Sequence, residues 1–168
     1  MGNEALLEAF RHNSWATRRL LESCKALSEE QLSAATTGTF GGILATFNHF
    51  VLADGRYVLQ LAGSAPAWAV NREANADLDR LEERANETAG LWERFLSEPV
   101  DAERVIVVDE GTREVRAGIF VAQALHHGNA HREQICAIMT GLGMEPPDVQ
   151  AWEYAWATGR IWDRTTDH

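Results

Sequence analysis

Length, composition and charge exclude several classes of protein. The chain has 168 residues, 45% of them hydrophobic, so one domain can bury a full core without disulfides. Fifteen Lys and Arg residues against 25 Asp and Glu residues give a net charge of −10, which argues against nucleic acid or an anionic membrane as a partner. We expect a single domain over residues 1–168 whose partner is a small molecule.

The cysteines and the N-terminal residues bear on the compartment. Cys24 and Cys136 both fall on apolar helix faces, which predicts core thiols in a reducing environment rather than a disulfide. The N-terminal residues lack the basic and apolar stretches of a secretory signal, and no apolar run approaches the length of a membrane span. We therefore expect a cytoplasmic protein.

Helical periodicity runs through most of the chain. A first long helix is predicted from about Glu4 to Leu27, and a capping box at Ser28 opens a short helix that ends near Ala35. Further long helices are predicted at about 42–61, 77–96 and 118–140. A β-branched segment at 104–116, centred on Glu110-Gly111, predicts a small hairpin, and the tryptophan-rich tail at 149–163 predicts a short amphipathic helix. The fold class expected is all-α, a four-helix bundle with a hairpin or extended insert before the last long helix.

Two histidines on the last long helix form the first candidate site. His127 and His131 are four residues apart, so both imidazoles lie on one helix face and could bind one divalent metal. On a helical wheel they share the core-facing sector with the apolar residues of that helix, namely Phe120, Ala124, Ile135, Ile138 and Leu142. His126 falls about 100° from this sector and is predicted to lie at the surface.

His49 is the candidate third ligand. It lies off the bulky stripe of its own helix, on a face with Gly42, Ala45 and Ala53. These small residues leave room beside the imidazole, although the same pattern fits close helix packing. Three imidazoles would leave a coordination position for water or substrate, as in catalytic sites, and would suit zinc, nickel, iron or copper. A buried hydrogen-bonded histidine cluster without metal is the alternative.

No general base accompanies these histidines in the sequence. Gly128 stands where a metalloprotease helix would carry its glutamate, and Glu133 falls on the wrong side of the helix. Asp54 is displaced from His49 around its helix and is a weak candidate as a fourth ligand or base. The pattern favours chemistry in which a metal activates a thiol or water unaided, and it assigns no further catalytic residue.

Three segments, taken in order, resemble a known family. They are His12–Leu21, Asn48–Asp54 after the entry Phe40-Gly41-Gly42, and His127–Ile135. Together they resemble the DinB superfamily, also called DinB/YfiT-like metalloenzymes. The resemblance implies an up-down-down-up four-helix bundle, frequently a homodimer, with a divalent metal held by His49, His127 and His131. Many relatives have glycine where this chain has Glu133, a position outside the implied ligands.

The resemblance also implies an activity. Its relatives include thiol-dependent S-transferases and isomerases that use mycothiol, bacillithiol or glutathione, and metal-dependent hydrolases. Our first hypothesis is a metal-dependent S-transferase for electrophilic small molecules, with zinc or nickel, a low-molecular-weight thiol as cofactor and a role in stress response. Asn13 on the inner face of the first helix, with Trp68 or Trp92, could help to shape the cofactor pocket. The alternatives are a hydrolase in which the metal activates water, and a non-catalytic helical module for sensing, storage or dimer stability.

Overall fold

Helices make up most of the structure. The computed structural model describes residues 3–164. The long helices are α1 (Glu4–Cys24), α3 (Ile43–Ala62), α5 (Leu78–Leu96) and α6 (Ala117–Gly141). The short helices are α2 (Glu29–Ser33), α4 (Ala67–Val70) and α7 (Ala151–Ala157), and the strands are β1 (Val105–Val108) and β2 (Arg113–Arg116). The four-helix bundle with a hairpin before its last long helix is confirmed.

Long-range contacts define the direction of each long helix. Lys25, just after α1, pairs with Glu82 near the start of α5, so α1 and α5 are antiparallel. Asn48 near the start of α3 exchanges hydrogen bonds with Ala76, just before α5, so α3 and α5 are parallel. Phe10 near the start of α1 lies in one apolar cluster with Val121 near the start of α6, and Leu20 and Ile138 near the ends of these helices lie in another, so α1 and α6 are parallel. The order is up-down-down-up, and α1 and α3 lie diagonally across the bundle, each packed against α5 and α6.

Two apolar clusters fill the bundle, with polar side chains at the level between them. One cluster includes Leu20, Phe47, Leu81 and Ile135, and the other includes Phe10, Val58, Trp92 and Val121. We call the side chains between them the polar layer; they are Asn13, Thr17, Asp54, Thr88, His127 and Arg132. Each of the four long helices contributes to this layer. The candidate ligands of α6 therefore lie where the core is interrupted.

The hairpin is short and carries exposed apolar side chains. Its strands pair antiparallel, with Val105 opposite Arg116 and Val108 opposite Arg113. Val107 is 58% exposed, because its face of the hairpin is not packed against the bundle. The four residues 109–112 connect the strands, and β2 leads directly into α6.

The structure corrects some details of the sequence prediction. Leu142, which was predicted to share the core-facing sector, directly follows the last residue of α6 at Gly141 and is exposed. The predicted tail helix is only seven residues long, and Trp152 and Trp156 on it are exposed while Tyr154 is buried. The helix α4 was not predicted. Within residues 3–164, none of the helices combines the length and the hydrophobicity needed to cross a bilayer.

Candidate metal centre

Three histidine side chains meet between α3 and α6. The Nε2 atom of His127 lies 3.1 Å from Nε2 of His49 and 3.2 Å from Nε2 of His131. Two imidazole ligands about 2.05 Å from a tetrahedral zinc ion would be about 3.3 Å apart, so this spacing fits a shared ion. Among residues 3–164, no other His, Cys, Asp or Glu side chain joins the three within 4.8 Å. They could hold a metal ion and leave a coordination position for a further ligand.

Aromatic rings surround the three imidazoles. Phe40, from the loop before α3, stacks on His49 with ring centroids 4.0 Å apart and an interplanar angle of 18°. The ring of Phe50 is parallel to that of His131 at 6.2 Å, and Tyr57 meets His127 edge-on at 5.9 Å. His131 is buried while His49 and His127 are half-buried, so the site has one side toward solvent. These rings limit access of water to the histidines.

Gln134 determines which nitrogen of His131 is available for a metal. Its Oε1 atom accepts a hydrogen bond from the backbone N–H of Phe40 at 3.1 Å and lies 2.9 Å from Nδ1 of His131. Because an amide oxygen can only accept, Nδ1 of His131 carries the proton and donates. The lone pair is then on Nε2, which points toward the other histidines. Gln134 and Phe40 were missed by the sequence analysis, although the spacing of three between His131 and Gln134 places them on one face of α6.

The surroundings favour uncharged imidazoles. Burial, together with the neighbouring charge of His131, lowers the pKa of His49. Burial, and then the nearby histidines, lower the pKa of His127 to about 4. Neutral imidazole is the form that binds a metal ion. Both side chains are therefore ready for coordination at neutral pH.

Asn13 is buried but its polar atoms are used by Arg132. The Nη1 atom of Arg132 donates to Asn13 Oδ1 at 2.8 Å and to Thr17 Oγ1 at 3.1 Å. Burial lowers the pKa of this guanidinium to about 10, so it remains charged in the polar layer. Asn13 thus holds a buried cation between α1 and α6, and its predicted role toward a cofactor stays a prediction. Arg132 was not singled out from the sequence, although it directly follows His131.

Asp54 lies inside the bundle and is not part of the group of three histidines, although it lines a cavity with His127. Its Oδ1 atom accepts a hydrogen bond from Nε1 of Trp92 at 2.9 Å. Burial raises the pKa of this carboxyl to about 6, although Trp92 and the charge of Arg132 oppose the rise. A cavity of about 10 Å³, enough for one water molecule, lies between Asp54, Thr88 and His127. Trp92 therefore anchors a half-buried acid in the polar layer.

The remaining sequence candidates lie outside the centre. His126 and Glu133 are both exposed, as predicted. Trp68 is buried and donates to Glu87, so it packs in the core. Cys24 and Cys136 are both free, as predicted, and burial raises the pKa of each thiol to about 11. Neither cysteine is a ready nucleophile at neutral pH.

The fold and the centre define a class of protein. The molecule is a four-helix bundle that brings three histidines from two antiparallel helices into the geometry of a metal site. The profile of the DinB family matches residues 1–165, nearly the whole chain, and the protein belongs to this family. Comparison with curated proteins finds no match.

Proposed function

We propose that the protein binds one divalent metal ion through His49, His127 and His131 and acts as a thiol-dependent S-transferase for electrophilic small molecules. The observation that carries this proposal is the approach of the three Nε2 atoms, at 3.1 and 3.2 Å between neighbours. Zinc or nickel is the ion we expect first. When bound, such an ion lowers the pKa of a thiol and holds the thiolate as a nucleophile.

The source of the reacting sulfur follows from the burial of the protein's own thiols. Cys24 and Cys136 have a pKa of about 11 and lie outside the histidine group. A low-molecular-weight thiol from solution would therefore supply the nucleophile. In the transfer, sulfur forms a bond to the electrophilic carbon, the leaving group departs with its bonding electrons, and the thiol proton passes to solvent.

The residues around the centre would prepare it for this reaction. Gln134 orients His131 so that its Nε2 faces the shared position. Phe40, Phe50 and Tyr57 would limit competing water and offer apolar contacts to an electrophile. The absence of a carboxylate from the histidine group of the described residues favours a nucleophile that ionises without a protein base.

The first test is metal content, measured by mass spectrometry on untagged protein purified without chelators. We expect about one divalent ion per chain, lost in His127→Ala. His126→Ala is the matched control, because this adjacent histidine is exposed and outside the group. Circular dichroism would show that both variants fold. Full metal content in His127→Ala would contradict the proposed ligands.

The second test separates transfer from hydrolysis. Turnover of an electrophilic acceptor would be followed with and without added glutathione, cysteine or another small thiol. We expect turnover only with both thiol and metal. Turnover without thiol would indicate a hydrolase, and turnover by metal-free protein would refute the metal-dependent mechanism altogether.

We also propose a cytoplasmic homodimer. The exposed Trp152 and Trp156 side chains on α7 offer apolar surface for a second copy. Sedimentation velocity at micromolar concentration would test this, and a monomer at all concentrations would contradict it.

A further inference from the structure

A groove next to the metal centre has the dimensions of a ligand site. It has a volume of about 810 Å³ and runs between α3, the loop after α4, the hairpin and the first half of α6. Ligand pockets commonly have volumes of roughly 300–1,000 Å³. We call it the hairpin groove and define it by Arg56, Tyr57, Arg72, Val107, Arg113 and Phe120, which all line it.

The hairpin groove is continuous with the candidate metal centre. Tyr57 lines the groove and meets the ring of His127 edge-on, with centroids 5.9 Å apart. Ala53, also in the lining, follows His49 by one helical turn, and Gln123 precedes His127 by one turn. A molecule in the groove could therefore extend to within one turn of the histidines.

The groove combines positive charge with apolar surface. Arg113 is paired with Asp109 at 3.1 Å, and Glu110 also lies in the lining. Within residues 3–164, however, Arg56 and Arg72 form no side-chain hydrogen bond or ion pair. These two guanidinium groups are available to a ligand in a chain whose net charge is −10. The side chains of Val107 and Ile119, which also line the groove, are 58% and 60% exposed, so apolar surface is available for contact with a ligand.

Backbone strain is concentrated in the same groove. Among residues 3–164, the non-glycine residues with positive φ are Arg72 at 58°, Asp109 at 50° and Glu110 at 57°, and all three line the groove. Each such residue costs about 1–2 kcal/mol, and strained residues cluster at binding and catalytic sites. Arg72 follows the end of α4, where Glu73 N–H donates to Trp68 O, a helix end at which glycine is usual. An arginine at this position costs stability that a ligand-binding role would explain.

From these features we propose that the hairpin groove binds the electrophilic substrate, and that this substrate is an apolar molecule bearing an anionic group such as a carboxylate, sulfonate or phosphate. Arg56 and Arg72 bind the anionic group, while Phe120, Val107 and Ile119 contact the apolar body. The statement that the ligand is the substrate rests on the proposed function. The binding site itself can be tested without any turnover.

The test uses two fluorescent probes of the same aromatic type. The anionic probe is 8-anilinonaphthalene-1-sulfonate and the neutral probe is N-phenyl-1-naphthylamine. We expect Arg56→Gln to raise the Kd of the sulfonate roughly threefold to tenfold, as for loss of a partly solvated charge-assisted hydrogen bond, with no change for the neutral probe. Arg94→Gln, an equal charge change on an exposed part of α5, is the matched control and should change neither. Phe120→Ala should weaken both probes.

Arg72→Gly is a second variant, which should be more stable than the wild type but bind the sulfonate more weakly. Glycine accepts a positive φ without cost, so thermal unfolding should shift to higher temperature while sulfonate binding weakens. A merely structural arginine would not give this combination. Equal effects of Arg56→Gln and Arg94→Gln on the sulfonate, or no sulfonate binding, would overturn the proposal.

The outcome is independent of the metal hypothesis. Probe binding is measured on metal-free protein and on His127→Ala as well as on the wild type. If the arginine-dependent binding persists but no metal or transfer is found, the proposed function fails and the groove site stands. If metal binding and transfer are found but the Kd of the sulfonate probe is the same in the wild type, Arg56→Gln and Arg72→Gly, the groove proposal alone is wrong.

Discussion

A Cβ atom on Gly128 would lie only 2.8 Å from Oδ1 of Asn13, the oxygen that accepts the hydrogen bond of Arg132. The same Cβ would lie 3.0 Å from Nη1 of Arg132. Helices α1 and α6 therefore pack closely at this point because α6 has a residue without a side chain. Close packing in the polar layer therefore explains Gly128, which stands at the position of the glutamate in a metalloprotease helix.

Gly128→Ala should destabilise the protein although alanine is the better helix former. Displacing the buried Asn13–Arg132 hydrogen bond should cost more than the gain of about 1 kcal/mol in helix propensity, leaving a net loss of about 1–2 kcal/mol. Gly141→Ala on the same helix has no atom within 4 Å of the new Cβ and should be neutral or slightly stabilising. Denaturant unfolding of metal-free protein measures both, and equal stability of the two variants would disprove the packing argument.

Gln134→Leu should weaken metal binding. Without the acceptor, the tautomer of His131 is no longer selected and the backbone N–H of Phe40 loses its partner. Loss of such a partner to a ligating histidine typically lowers metal affinity by about 10- to 100-fold. Gln134→Glu keeps an acceptor and should retain most of the affinity, and Gln150→Leu, at the exposed residue before α7 whose side chain makes no capping hydrogen bond, is a control. Competition with a chelating dye gives the affinities; unchanged binding in Gln134→Leu would rule out the orienting role.

Phe40→Ala should accelerate metal loss without changing the number of ions bound. The phenyl ring covers His49 at 4.0 Å and meets His131 edge-on at 5.7 Å, so its removal opens the site to water and chelator. We expect release to a chelator to be roughly threefold to tenfold faster, because the hydrophobic shell controls solvent access. Trp152→Ala removes a 73% exposed aromatic side chain far along the sequence and should not alter release. Identical release rates would show that Phe40 is no barrier.

Asp54 should make the stability of metal-free protein depend on pH. Its pKa of about 6 in the folded protein is above the value of about 3.9 in an unfolded chain, so the folded state binds the proton more tightly. The contribution of Asp54 to the free energy of unfolding should then fall by about 2–3 kcal/mol as pH rises from about 4 to 6. His127, whose pKa is lowered to about 4, contributes in the opposite direction over this range, so the Asp54 contribution is obtained as the difference between wild type and an Asp54 variant. Asp54→Asn keeps an acceptor for Trp92, so the wild type should lose stability relative to Asp54→Asn as pH rises, whereas it should not lose stability relative to Asp79→Asn, whose side chain is 85% exposed. The same pH profile in Asp54→Asn and wild type would contradict the assignment.

The predictability of the site differs between its two helices. The place of His127 and His131 could be predicted, because their spacing and the apolar stripe of α6 both belong to one helix. His49 was a candidate because small residues share its face of α3, but that pattern also fits close helix packing, and periodicity alone does not bring it to α6; the resemblance to a family was needed to join it to the pair. Phe40 stacks on His49 from the loop before α3. This contact could not be predicted, because a loop has no periodic pattern in the sequence.

The overall fold could be predicted from the sequence more completely than its short elements. The long helix α5, capped by Asp77, and the short helix α2, capped by Ser28, were both placed within a few residues, because patterning and capping agree there. The helix α4 has four residues, fewer than the period needed to recognise it, and its position depends on Trp68. A Cβ on Gly55 would meet the Trp68 ring at 2.6 Å, so a tertiary contact rather than local pattern determines this segment.

The separation of His49 and His127 by 78 residues has a consequence for how the protein forms. During synthesis from the N-terminus, α3 emerges with one ligand long before α6 supplies the other two. An ion shared by all three would therefore be acquired only after the antiparallel helices dock, and would then join distant parts of the chain across the bundle. Such a link adds to the barrier against unfolding more than to the speed of folding, so metal loading should appear chiefly as a longer lifetime of the native state.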